Sequence, residues 1–292
     1  MPRHLSTTGS QGAVYLTTDA LTAFKARVAL WMKDYDTALT NATALINSQK
    51  YPLISNDQEF KQMWLNDTGS ELICQLFASK QELPTAMGSW FLDEITRNQT
   101  ILPAADIIMK YEETDIRLNT YFTMAPVNFA NGATYEVACV NKYPGNPELY
   151  TGANNYTNKV KIFRIAEMYL IAAEAYFMKG GATNELNAYD TLFQLMSARD
   201  ASLRSQPVSG EILKQLIRTE RLKELCYEGF RWLDLKRYGE GFTRMASQAD
   251  ELSYNFGLNL QVSANDHQWL WPIPQDEIEA NPQIKNQQNP GY

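Results

Sequence analysis

The sequence has no basic tract, few histidines, few cysteines and no long apolar run, and each shortage removes a class of function. The net charge is −7, and no run of Lys and Arg stands out, which argues against nucleic acid or an anionic membrane surface as a partner. Cys74, Cys139 and Cys226 lie far apart and supply neither a disulfide framework nor zinc-ligand spacing. Cys226, among Leu222, Leu225 and Tyr227, reads as a small buried hydrophobe. Of the two histidines, His4 sits near the terminus and His267 beside aromatics, where a hydrogen-bonded structural role is commoner than a base. No segment approaches the ~20 apolar residues of a membrane-spanning helix. Residues 1–20 contain neither an apolar signal core nor a lipid-accepting cysteine, so any export signal is expected upstream of them. Nucleophile-elbow, phosphate-loop, dinucleotide and His-Glu-x-x-His patterns are absent as well. No catalytic residue, metal or cofactor is expected.

What is present is a globular composition: 292 residues, 45% apolar and 20% charged, with 16 Tyr, 12 Phe and 6 Trp. Residues 17–51 read as a helical hairpin. Leu21, Phe24, Val28 and Trp31 recur at helical spacing, followed by Tyr35, Ala38, Leu39, Ala42, Leu45 and Ile46, with Asp34 as N-cap of the second helix. Ala26 and Ala29 permit close helix approach. A related pattern returns from Ala166 to Phe177, where Ala166, Tyr169, Leu170, Ala173, Tyr176 and Phe177 form the stripe and Gly180-Gly181 ends it. A second helix follows from about Glu185 to Arg199. Laid over each other, Ala26, Ala29, Trp31, Met32 and Lys33 match Ala172, Ala175, Phe177, Met178 and Lys179, as in two tetratricopeptide-like hairpins.

Residues 52–159 differ. Turn clusters at Asn66-Asp67-Thr68-Gly69, Pro144-Gly145-Asn146-Pro147 and Thr151-Gly152-Ala153-Asn154-Asn155 predict an irregular insertion, with Glu71–Phe77 and Tyr135–Val140 as short strands. Residues 160–240 hold the second hairpin and a further helix from Glu211 to about Tyr227, with irregular chain beyond Leu235. Over residues 241–292, Pro272, Pro274, Pro282 and Pro290 predict an extended tail, with one helical turn at Gln275–Ala280, docked on the body through Trp271 and Ile273.

Charge is densest between Arg218 and Arg237. Glu220, Glu224 and Glu228 fall on one helix face. Glycoside hydrolysis needs two carboxylates facing each other across a bond, and neighbours one turn apart on one helix do not do this. Like charges at that spacing repel unless cations intervene, and Arg218, Arg221, Arg231 and Arg237 are the expected cations. The reading is a structural ion-pair network.

The run Glu220-Arg221-x-x-Glu224-Leu225-x-x-Glu228-Gly229-x-Arg231-Trp232-x-Asp234-Leu235-x-Arg237 resembles the signature of the SusD/RagB family. So do Phe163-Arg164-x-Ala166-Glu167 with Ala173-Glu174-Ala175, the Lys33-Asp34-Tyr35 hairpin, and the ending Trp271-Pro272-Ile273-Pro274 to Asn289-Pro290-Gly291-Tyr292. The resemblance implies a mainly α fold, with tetratricopeptide-like hairpins supporting a loop-rich insertion that holds a few short strands, and the whole chain forming the C-terminal portion of a longer domain. It also implies a surface lipoprotein of the outer membrane that captures oligosaccharides, or in some members peptides, without chemistry of its own, for a SusC-like TonB-dependent transporter. The lipid anchor would belong to the N-terminal part. Glycan sites need flat aromatic faces against apolar sugar C–H faces, with amides and charged groups for the hydroxyls. The candidates in the insertion are Trp90, Phe91, Arg97, Asn98, Tyr150, Asn154, Asn155 and Tyr156. Trp31, Trp64, Trp232 and Trp271 are assigned to packing.

Overall fold

Alanines at helical spacing decide how the first hairpin packs. In the computed structural model, which describes residues 14–129, 132–152, 156–244 and 260–292, helix α1 (Thr18–Trp31) is capped by Thr17 and α2 (Tyr35–Asn47) by Asp34, whose side chain accepts from the Thr37 N–H at 3.1 Å. The face of α1 that packs inward is Ala20, Ala23, Ala26 and Ala29, because side chains this small let helix backbones approach closely at native packing density. The bulky stripe expected to pack points outward instead: Leu21 is 51% and Phe24 52% exposed, and Trp31 is also exposed.

Residues 52–159 are more ordered than their turn clusters suggested. They contain α3 (Asp57–Leu65), β1 (Leu72–Gln75), α4 (Ala105–Ile108), α5 (Leu118–Tyr121), and a hairpin of β2 (Phe122–Asn128) and β3 (Thr134–Val140) paired without a bulge. The strand β1 pairs antiparallel with β4 (Lys161–Arg164), which passes directly into α6 (Ile165–Lys179). Phe60, Trp64, Tyr111, Tyr121, Phe122 and Tyr143 make an aromatic core for this module.

Helix α6 is apolar on nearly every side and is buried accordingly, between α2 and α7 (Ala182–Arg199). Ala172 and Ala175 share one core with Ala26 and Ala29, so the two hairpins stack through their small residues. Gly180 and Gly181, at φ +72° and +87°, take a left-handed turn that a side chain would strain. Next come α8 (Gly210–Leu225), which ends before Glu228, and α9 (Arg231–Tyr238), which continues the helix content past Leu235. A two-residue ladder joins β5 (Phe242–Thr243) to β6 (Gln261–Val262). The helical turn expected in the tail is α10 (Gln275–Ala280), flanked by 3-10 turns at His267–Trp269 and Pro282–Gln287.

The tail attaches differently from the expectation. Trp271 is 78% exposed. The anchor is Trp269, buried beside Trp232 with ring centroids 4.6 Å apart, its indole N–H donating to Ser263 O at 2.7 Å. Beyond it the chain folds back on itself: the side chain of Gln288 bonds both backbone groups of Ile273, at 2.8 and 3.1 Å, and Tyr292 donates to Leu270 O at 3.0 Å.

Candidate ligand-binding face and the buried charge hub

Three cations from distant parts of the chain converge on Glu224. Arg164, at the junction of β4 and α6, donates at 2.7 Å; Arg199, the last residue of α7, donates at 3.0 Å to each oxygen; Arg117, before α5, donates at 3.1 Å. Burial opposes ionisation of Glu224, but Arg199, Arg164 and Arg117 outweigh it and hold its carboxyl well below the usual range. Glu228 repeats the pattern: burial works against its charge, and Arg164 and Lys142 overcome it. Glu220 pairs with Arg117, and Glu71 takes Arg199 through both oxygens at 2.8 Å.

Lys142 also closes the end of α8. Its ammonium donates to Glu224 O at 3.0 Å and Cys226 O at 2.9 Å, carbonyls left over where the helix stops, and a cation there also suits the helix dipole. Tyr111 and Tyr143 donate to Lys223 O and Tyr227 O at 2.7 and 2.9 Å. The insertion is therefore keyed into the C-terminal end of α8 by buried charge and phenols.

Glu220, Glu224 and Glu228 all stand in ion pairs, but not with the cations expected from the sequence. Arg221 binds Asp234 at 2.8 Å; Arg237 binds Asp234 and Glu174; Arg218 binds Glu240. Arg231 forms no ion pair with any described residue. Glu228 lies in the turn after α8, not on it. Neighbours in sequence were the wrong partners because side chains on the buried face of α8 meet other elements rather than their own helix.

A second buried centre shapes the loops. Asp67, wholly buried, receives Asn146 Nδ2 at 2.9 Å, Asn158 Nδ2 at 3.2 Å, Lys159 N at 2.9 Å and Lys161 Nζ at 2.8 Å. One carboxylate thus ties Asn146 and residues 158–161 to the end of α3. Against that tie rests the loop carrying Trp90. Gly88 N donates to Tyr156 O at 3.1 Å, and a Cβ on Gly88 would fall 2.1 Å from Tyr143 O, so only glycine allows the loop to seat there. Tyr156 crosses the loop and its hydroxyl accepts from Glu94 N at 2.9 Å. Asp93 then caps the turn through Ile95 N, Thr96 N and the Thr96 hydroxyl.

The sequence candidates divide on this frame. Trp90, 47% exposed, stands on the seated loop, with exposed Arg97 and Asn98 further along it and half-buried Tyr156 beneath. Tyr150 is partly buried and donates to Gly145 O at 3.3 Å. Phe91 does not belong to the exposed face. It is 6% exposed, stacked on Tyr143 at 5.9 Å and edge-on to Tyr227 at 5.6 Å. Asn154 and Asn155 lie outside the described residues. The hub residues Glu71, Arg117, Lys142, Arg164 and Arg199 went unassigned in the sequence reading. Three like-charged glutamates at helical spacing signal a demand for cations, without saying which ones.

Stacked helical hairpins carry a loop module keyed in by buried ion pairs, with Trp90 exposed on it. The model of the SusD family matches residues 86–292, and the chain belongs to that family. The SusD-like protein P38 of Formosa agariphila is 26% identical over 263 residues, covering 75% of this chain and 51% of that protein. A SusD superfamily protein of Bacteroides thetaiotaomicron aligns with a TM-score of 0.73 at 27% identity, over 96% of this chain and 63% of the other. A SusD-like carbohydrate binding protein of Bacteroides vulgatus aligns with a TM-score of 0.73 at 20% identity, over 94% of this chain and 60% of the other, and bears on the fold alone. The chain thus spans half to two thirds of the length of these relatives.

Proposed function

We propose that the chain captures oligosaccharides without transforming them, as part of a surface nutrient-binding protein that delivers glycans to a TonB-dependent transporter of the outer membrane. The observation that carries this reading is Trp90, a large flat ring left 47% exposed on a loop held by Gly88, Asp93 and Tyr156. A preorganised ring loses little entropy on binding, and its apolar face suits the C–H face of a sugar while Arg97 and Asn98 are at hand for hydroxyls. Family membership supports the reading. The clustered glutamates do not favour a hydrolase: their oxygens are buried and engaged by arginine and lysine.

The experiment is a glycan array, followed by calorimetry of the best binder with wild type, Trp90→Ala and Tyr156→Phe. Affinity is expected in the micromolar to millimolar range and insensitive to salt for a neutral glycan. Trp90→Ala should weaken it about fivefold or more, since one stacked ring is worth ~1 kcal/mol. Unchanged affinity in a folded Trp90→Ala protein would remove this face from the reading.

A further inference from the structure

Phe91, withdrawn from the exposed face, lines a cavity of about 770 Å³. That volume is in the range of small-molecule sites. Its walls include Phe91, Leu102, Ile107, Phe129, Trp232 and Phe242. The charged side chains in the lining are Arg231, Arg244 and Asp106. Neither guanidinium forms an ion pair with a described residue, whereas the arginines buried around α8, Arg117, Arg164, Arg199 and Arg221, each do. Arg244 rests over the Phe242 ring at 4.7 Å. Burial lowers the pKa of Arg231, and the nearby positive charge of Arg244 adds to that, against Asp234, Glu240 and Tyr238. The two like charges are thus held near one another at an apolar cavity and matched only by Asp106, whose buried Oδ1 has no hydrogen-bond partner among the described residues.

Among the described residues, two guanidiniums without an ion pair face one carboxylate, so the described lining carries an excess of positive charge. Aliphatic and aromatic walls with few hydrogen-bonding groups fit a hydroxyl-rich sugar poorly, because each buried hydroxyl without a partner loses its hydration. They fit an apolar body well. We infer that this cavity binds a small amphipathic carboxylate, its aliphatic or aromatic body against Phe91, Leu102, Phe129 and Trp232 and its carboxylate on Arg231 and Arg244. The Trp90 side chain is not part of this lining.

The test titrates decanoate into the protein, following heat and the fluorescence of Trp232, with decyltrimethylammonium and glucuronate in parallel. Decanoate should bind, more weakly as salt rises, and perturb tryptophan emission. Decyltrimethylammonium, with the same chain and opposite charge, should bind at least about tenfold more weakly, and glucuronate, with the charge and no apolar body, should not bind measurably. The double variant Arg231→Gln/Arg244→Gln alters exposed side chains that form no ion pair with a described residue, so it should fold normally and lose about tenfold or more in decanoate affinity. Leu102→Trp, which fills the cavity while keeping both arginines, should also abolish binding. Trp90→Ala should leave it unchanged. No binding of decanoate to wild type, equal binding of the cationic amphiphile, or full affinity in the double variant would each overturn the inference.

Discussion

Trp64 and Trp90 belong to the same insertion and meet opposite surroundings. Trp64 is 1% exposed and sits among cations, with Lys142 and Lys161 each 4.7 Å from its ring and Arg164 at 5.2 Å. Trp90 is 47% exposed on a loop fixed by backbone bonds. The carboxylates around them differ in the same way: Glu224 is buried under three arginines, whereas Asp93 sits at the surface and only caps a turn. Aromatic and acidic residues therefore hold the module onto the scaffold in one place and stand exposed at its surface in the other. What separates the two roles is whether the side chain's partners come from other elements.

The comparison breaks most readily at the hub. Glu224→Ala leaves Arg117, Arg164 and Arg199 buried around a missing charge, and should cost about 3–5 kcal/mol in urea unfolding. A loss below 1 kcal/mol would mean the hub is not what ties insertion to scaffold. Acid should act on the same groups. Glu224, Glu228 and Asp115 have folded pKa values below their unfolded ones, so their stabilisation is present above the usual 4.5 or 3.8 and is lost as pH falls toward the folded values. The melting temperature should drop steeply below about pH 4.5, and Glu224→Gln should flatten that drop. At alkaline pH the sign reverses: burial raises the phenols of Tyr111, Tyr121 and Tyr143 above 10.0, so the unfolded chain deprotonates first and stability falls.

Much of this architecture was legible in the sequence. The hairpins at 18–47 and 165–199, the Asp34 cap, the Gly180-Gly181 stop and the turn at Gln275–Ala280 follow from local pattern and are present. The direction in which α1 faces was not legible, because a bulky stripe and an alanine stripe lie on the same helix and only the neighbours decide between them. The strand β4 was missed since Lys161 and Arg164 look like surface residues until Asp67 and Glu224 are brought to them. At the candidate site, Trp90 was legible as one aromatic within a turn-rich insertion, and it stands 47% exposed. The burial of Phe91, one residue on, depends on Tyr143 and Tyr227, far away in sequence.

Smaller effects sharpen the contrast. Asn158→Ala removes donors to Asp67 and to the carbonyl of Trp64, and should cost about 1–3 kcal/mol while loosening the 144–161 segment in amide exchange. Ala26→Leu, in the packed stripe of α1, should cost a similar ~1–3 kcal/mol by overpacking. Leu21→Ser, on the outward stripe, should change stability by no more than about 0.5 kcal/mol. Equal losses at Ala26 and Leu21 would show that the outward face of α1 is buried in solution.

The central claim is that the glutamate signature holds the fold and the Trp90 face holds the ligand. Its most direct test is one paired measurement on Glu224→Gln and Trp90→Ala: urea unfolding beside calorimetric affinity for the best array glycan, per folded molecule. The account predicts that Glu224→Gln loses stability and keeps its affinity, while Trp90→Ala keeps its stability and loses affinity about fivefold or more. A folded Glu224→Gln protein that has lost its affinity, beside a Trp90→Ala protein that binds like wild type, would contradict it.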